Sequence, residues 1–180
     1  MALATWWRGD ALPELNPLPG LEVASGDGVD AIARLTALSH DEAAARLAAG
    51  HRVYVASIDD APAAYGWGAT MSASIGELEM AFAVPERDRY LWDFATLPAF
   101  RGRGIYPRLL QEILAREGSG AERFWIIHAP ENTPSSSGIA KAGFTAVSEL
   151  SFLPGASVGA VIMERPERAR FGAALLGEET

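Results

Sequence analysis

Three arginines and two glycines fall within Arg101-Gly102-Arg103-Gly104-Ile105-Tyr106-Pro107-Arg108. The apolar spacing of Leu109, Leu110, Ile113 and Leu114 predicts a helix from Ile105 to Arg116, and the aromatic-rich run Tyr90–Thr96 predicts a strand before the loop. The first turn of a helix exposes unpaired N–H groups and the positive end of its dipole, so this junction suits an anion. Gly102 and Gly104 allow the backbone to approach a bound group closely. Arg101, Arg103 and Arg108 can each add a charge-assisted hydrogen bond, worth about 1.5–3 kcal/mol to a phosphate. The chemistry described is a pyrophosphate cradle. No Gly-Lys-Ser/Thr follows, which excludes a Walker loop, and no third glycine completes the dinucleotide fingerprint.

Other residues could act on a ligand held there. Asp93 sits in Tyr90-Leu91-Trp92-Asp93-Phe94, where a charge must be paired or working. Glu77 and Glu79 alternate with Leu78 and Met80, the pattern of a solvent-facing strand, and Glu79 is a second carboxylate candidate. His128 closes a predicted strand, Arg123–His128, at the end where ligands sit in such sheets. Asn132 precedes a predicted short helix, Pro134–Ala142, and suits either its N-cap or a ligand amide. Ser135, Ser136 and Ser137 either cap that helix or touch the ligand. Trp67, Trp92 and Trp125 either pack the core or line an acceptor pocket.

The elements that must position these residues read as follows. Pro13, Pro17 and Pro19 make residues 1–20 an extended arm, pinned to the body by Trp6 and Trp7. A strand at Leu21–Ser25 precedes two helices, Val29–Leu38 and a second that Ser39 or Asp41 caps and Gly50 ends. His51–Ile58, Ala63–Met71, Glu77–Val84 and Tyr90–Thr96 form an antiparallel meander, with a Ser/Gly-containing break after Met71. Strands at Phe144–Phe152 and Ser157–Met163 and a helix at Pro166–Leu176 follow. Strand, helix, strand after Tyr90 implies a crossover, hence some parallel pairing. The expected class is α/β of the α+β type, a mixed sheet with helices on both faces.

Composition sets limits. The chain has 180 residues, 49% hydrophobic, which allows one sizeable core and excludes a fully disordered chain. Its 15 basic and 23 acidic residues give a net charge of −8, which argues against nucleic acid and anionic membranes as partners. Without cysteine there is no disulfide, thiolate metal site or thiol nucleophile, and the three distant histidines argue against a metal. No run reaches the ~18 apolar residues of a membrane span, and Met1–Asp10 does not read as a signal peptide. A cytoplasmic location is expected.

The loop resembles the Arg/Gln-x-x-Gly-x-Gly/Ala acetyl-CoA loop of the Gcn5-related N-acetyltransferase (GNAT) superfamily. Asn132-Thr133-Pro134-Ser135 and Lys141-Ala142-Gly143-Phe144 resemble that family's N-x-x-A/S segment and closing K-x-G-F, in the right order and spacing. The resemblance covers Tyr90 to Phe144 and departs at Tyr106, in a Gly/Ala slot, and at Ile139, where the family often carries a tyrosine that protonates the departing thiolate. It implies one acyl-CoA N-acyltransferase-like domain over 1–180, with residues 90–144 as its acyl-CoA-binding core. The implied GNAT-like sheet is mostly antiparallel with about six to seven strands. It further implies an acetyl-CoA-dependent N-acetyltransferase in which a primary amine attacks the thioester directly. Thr96, Arg101, Gly102, Arg103, Gly104, Ile105, Tyr106, Asn132 and Ser135 would hold acetyl-CoA, and no metal is needed. An alkylamine is only about 0.1% neutral near pH 7.4, a cost of about 4 kcal/mol, so a base is wanted. Asp93 is the first candidate, with His128 and Glu79 after it. The acceptor is a small molecule or a peptide, and a homodimer stays open. The alternatives are a CoA-binding sensor without turnover, favoured by Ile139, and transfer to a hydroxyl.

Overall fold

The computed structural model describes residues 1–75, 80–153 and 157–177, with side chains outside 152–160. Along the described residues run β1 (Ala2–Trp7), β2 (Leu21–Ser25), α1 (Val29–Thr36), α2 (His40–Ala48), β3 (Arg52–Ile58), β4 (Ala61–Ala69), β5 (Ser72–Ile75), β6 (Met80–Ala83) and β7 (Asp88–Thr96). Then come α3 (Ile105–Glu117), β8 (Arg123–His128), α4 (Thr133–Lys141), β9 (Thr145–Leu153), β10 (Ser157–Ile162) and α5 (Pro166–Leu175). Eight strands form one sheet in the order β10-β9-β1-β8-β7-β4-β3-β2, and β5 and β6 form a separate ribbon. Every neighbouring pair in the sheet is antiparallel except β7 and β8. The mixed, mostly antiparallel sheet matches expectation, with somewhat more strands than the expected number.

Two expectations need correction. The first 20 residues are not an arm throughout. Ala2–Trp7 is an interior strand, paired on one side with β8 and on the other with β9. Leu3 and Thr5 are wholly buried, and the Thr5 hydroxyl donates to the Phe124 carbonyl at 2.8 Å. A strand covered on both faces shows a continuous apolar run rather than alternation, so it lacks the period-two signature. Only the stretch after it is an exposed, extended crossing. There Gln111 donates to the Pro13 carbonyl at 2.9 Å, and Arg108 Nε donates to that of Asn16 at 3.1 Å. The second correction concerns the Ser/Gly-containing break and the strand after it: Ser72–Ile75 is strand β5, which pairs with β6 outside the main sheet, so β4 pairs directly with β7 and the strand expected at Glu77–Val84 is not part of the meander. The alternation of β5 puts Ala73 inward opposite Phe82 while Ser72 and Ser74 face water. Burial of one face overrides the weak strand propensity of serine and alanine.

Helices cover both faces. On one, α3 and α4 bury Ile105, Leu109, Leu110, Ile113 and Ile139 against Tyr54, Leu91 and Phe124. Each such side chain contributes about 1.5–3 kcal/mol. On the other, α1 and α2 cover Val53, Tyr65 and Trp67, while α5 and the β5–β6 ribbon cover Tyr90, Trp125 and Val147. Ser39 starts α2 with a reciprocal capping box: its hydroxyl accepts from the Glu42 N–H, and the Glu42 carboxylate accepts from the Ser39 N–H at 2.9 Å.

α3 is tied to the sheet through a buried carboxylate. Glu117, 6% exposed, accepts from Arg89 Nε at 2.7 Å, from Arg52 at 2.6 Å and from the Tyr54 hydroxyl. Burial pushes the Glu117 carboxyl up, but these hydrogen bonds together outweigh it and hold the group below its usual value. The far end of α3 is thereby fixed, and its N-terminus is aimed at the gap between β7 and β8.

Candidate active site

The parallel pairing of β7 with β8 runs from Asp88–Arg123 to Leu91–Ile126, although β7 continues to Thr96 and β8 to His128. Beyond Leu91 the two strands part. A cleft of about 710 Å³ lies there, bounded by Phe94–Thr96, the loop before α3, the first turn of α3, and α4. That volume falls in the range of small-molecule sites.

At one end the cleft meets the loop. Gly102 and Gly104 have φ of 76° and 70°, left-handed values that a side chain resists. A Cβ on Gly102 would meet nothing within 4 Å, so the requirement there is conformational rather than steric. The N–H groups of this loop and first turn have no helical acceptors, and Pro107 sits where the missing N–H costs nothing. Of the nine residues expected to hold acetyl-CoA, Thr96, Arg101, Gly102, Gly104, Ile105, Tyr106, Asn132 and Ser135 line the cleft. Arg103 does not: its guanidinium lies over the Phe100 ring, 5.3 Å from the centroid. Arg108 turns away, donating to the Gly104 carbonyl at 2.5 Å and to Asn16. It clamps the N-terminal crossing, so of the three arginines only Arg101 faces the cleft. Lys141 also lines it.

At α4 the Asn132 side chain accepts from the Ser135 N–H at 3.2 Å, so the N-cap reading holds while Asn132 also borders the cleft. Tyr106 reaches under α4. Its hydroxyl interacts with Ser135, its ring lies 5.4 Å from that of Phe94, and a Cβ on Gly138 would come within 2.4 Å of it. Burial pushes the Tyr106 hydroxyl up to about 12. Ile139, in the family's tyrosine slot, is 2% exposed and packs in the core.

On the opposite face lies Asp93. The register of β4 against β7 slips between Tyr65–Ala95 and Trp67–Trp92, leaving Asp93 and Phe94 both opposite Gly66. This is a β-bulge, and Asp93 carries its strain at φ 50°. Phe94 closes over Gly66, where a Cβ would fall 2.0 Å from its ring. The extra residue puts both Trp92 and Asp93 on the α2 side. There Arg46 of α2 donates to Asp93 Oδ2 at 2.5 Å. Its guanidinium lies 4.4 Å from the Trp92 ring centre and 5.1 Å from that of Trp67. The His51 ring meets Trp92 edge-on at 5.3 Å. Burial, then the charge of Arg46, holds the imidazole below its usual value. Arg46 and His51 escape a reading of the sequence because nothing in their local spacing distinguishes them from surface residues.

The remaining expected residues are dispersed. His128 ends β8, half-buried, with Nδ1 3.2 Å from the Ala129 carbonyl, and it does not line the cleft. Glu77 and Glu79 lie outside the described residues. Trp67 and Trp125 are wholly buried core residues, and of the three candidate tryptophans Trp92 alone is part-exposed. Among the described residues no group of three His, Asp or Glu is placed to hold a metal ion.

A cleft at parted parallel strands, with a glycine-arginine loop at a helix start, suits a ligand that carries an anionic group. The model of the Acetyltransferase (GNAT) family matches residues 22–144. The chain belongs to this family. No curated protein matches the chain at the significance required. Similar solved structures include a GCN5-related N-acetyltransferase from Kribbella flavida, 16% identical with a TM-score of 0.51, covering 81% of this chain and 53% of its own. This chain therefore spans about half the length of that protein. A Salmonella typhimurium protein named as an acetyltransferase, solved with acetyl-CoA, is 16% identical at TM-score 0.54 over 73% of this chain and 83% of its own. An aminoglycoside acetyltransferase from an uncultured soil metagenomic sample, solved with sisomicin, is 12% identical at TM-score 0.58 over 74% of this chain and 94% of its own. Such identities show a shared fold.

Proposed function

We propose that this protein transfers the acetyl group of acetyl-CoA to a primary amine by direct attack, within a ternary complex. The observation that carries this reading is the continuous cleft from the α3 N-terminus to the β7 bulge. The free N–H groups of Gly102 to Tyr106, with Arg101, hold the pyrophosphate. Thr96, Asn132 and Ser135 border the path of the pantetheine arm. The thioester then lies where β7 and β8 part, and the bulge at Asp93 opens the sheet to an acceptor from the α2 side.

Asp93 directly precedes Phe94 of the cleft lining. Its Oδ2 is held by Arg46, and Oδ1 is the oxygen that receives the proton of the attacking ammonium, directly or through water. His128 and Glu79 remain secondary candidates. With Ile139 buried, Tyr106 is the tyrosine bordering the cleft, and its protonated phenol protonates the departing thiolate. Its presence favours turnover over a CoA sensor. Calorimetric titration with acetyl-CoA, with NADH and ATP as controls, tests the binding half of this reading. Selective micromolar binding is expected, and equal affinity for NADH would refute it. Thiol release with an amine panel tests the transfer half, and an ester product would move the acceptor to a hydroxyl.

A further inference from the structure

We infer that the part-exposed cluster of Arg46, Asp93, Trp92 and His51, backed by the buried Trp67, selects a small zwitterionic acceptor, an amino acid or similar amino carboxylate, rather than a polycationic amine. This inference rests on the transfer proposed above and names its substrate class.

The charge balance points this way first. The Arg46 and Asp93 side chains are 22% and 34% exposed, so water reaches the pair. They already neutralise one another at 2.5 Å. A cation alone gains little from a carboxylate whose charge a guanidinium cancels, and it meets that guanidinium as a like charge. Neutral His51 adds no charge, because burial and Arg46 favour its uncharged form. A zwitterion exchanges one internal ion pair for two: its carboxylate meets Arg46 and its ammonium meets Asp93. The planar guanidinium suits bidentate carboxylate recognition, and its stacking on Trp92 and Trp67 fixes its plane.

The second observation is independent of charge. Trp67 Nε1, Trp92 Nε1 and His51 Nδ1 are buried without any hydrogen-bond partner, and all three belong to residues of this cluster. Buried N–H groups are rarely left unpaired, and exceptions mark places where something else supplies the acceptor. Trp92, the part-exposed indole beside the guanidinium, lacks an acceptor oxygen, which a carboxylate has and a polyamine lacks. The same cluster ends at Asp93, one residue from Phe94 in the cleft wall, so an amine seated on Asp93 stands next to the acyl path. There the N–C bond forms as the C–S bond breaks. Of the two protons the ammonium loses, one passes to solvent by way of Asp93 and the other ends on the CoA thiol.

The test is thiol release from acetyl-CoA with the full set of L-amino acids, their methyl esters, spermidine and kanamycin, on the wild-type chain and Arg46→Met. At least one amino acid should exceed both polycations in kcat/KM, and its methyl ester should fall at least tenfold. Arg46→Met should erase the difference between acid and ester while keeping acetyl-CoA affinity by calorimetry. A preference for spermidine or kanamycin, or equal rates for acid and ester, overturns the inference. Where no amine turns over, saturation-transfer NMR with the same amino acids decides. Binding that Arg46→Met abolishes supports the site, and no contact with any amino acid overturns it. Failure to bind acetyl-CoA is a separate result that refutes the parent reading alone, since amino-acid binding is read without the cofactor.

Discussion

Gly104 and Tyr106 stand two positions apart on the same helix start, and they bear opposite kinds of demand. Gly104 must adopt a left-handed φ, and a Cβ there would come 2.6 Å from Arg108. Gly104→Glu adds strain, bulk and a negative charge beside the phosphate position. It should weaken acetyl-CoA at least a hundredfold by calorimetry while the circular dichroism spectrum stays unchanged. Tyr106 contributes its hydroxyl. Tyr106→Phe keeps the ring against Phe94 and Gly138, so KM for acetyl-CoA should stay within twofold while kcat falls at least tenfold. The deficit should shrink with a thioester whose thiol is more acidic, because a better leaving group needs less protonation. With the Tyr106 hydroxyl pushed up to about 12, wild-type kcat should show no loss of this proton up to about pH 10. The loop itself was legible in the sequence, because a helix start with glycines and arginines is a local feature. The orientation of Tyr106 was not, because it depends on the space that Gly138 leaves open one helix away.

At the scale of elements, the helices report their own boundaries and the strands do not. Ser39 and Glu42 make a capping box within four residues of chain, so α2 could be placed from sequence alone. Ser39→Ala should cost about 1 kcal/mol, read as a Tm about 2–4 °C lower in calorimetry. The join of α3 to the sheet depends on distant partners. Glu117 takes hydrogen bonds from Arg52 and Tyr54 on β3 and Arg89 on β7, contacts 65, 63 and 28 residues away in sequence. Removing one member of a buried charged set leaves the others uncompensated. Glu117→Ala should therefore destabilise by about 3–5 kcal/mol in urea unfolding. β1 is the element that local reading missed. Ala2–Trp7 and the arm after it are both extended, and only the strands on either side of β1 distinguish them.

At the scale of the whole molecule, acid is the expected weakness. Glu117 in the fold titrates below its usual 4.5, and Asp10, hydrogen-bonded by Arg168, below 3.8. For a depressed carboxyl the unfolded chain takes up the proton first as pH falls. Its stabilisation is complete above the unfolded value and is lost as pH drops through the folded one. The urea midpoint should therefore fall progressively below about pH 4.5. His51, held below 6.5, has the same sign and adds a shallower loss beginning under that pH.

The sequence by itself determined what local chemistry determines: helix ends, the neighbouring strands β3, β4 and β7, an anion-binding helix start, and a family resemblance carried by motifs from Arg101 to Phe144. Tertiary structure alone decided three things. It placed β1 in the middle of the sheet, because a strand buried on both faces carries no periodic signal. It turned Arg103 and Arg108 away from the cleft, because Phe100 and the Asn16 carbonyl offer them partners that no motif records. It also brought Arg46 onto Asp93 across 47 residues, because a single extra residue in β7 puts Trp92 and Asp93 on one face.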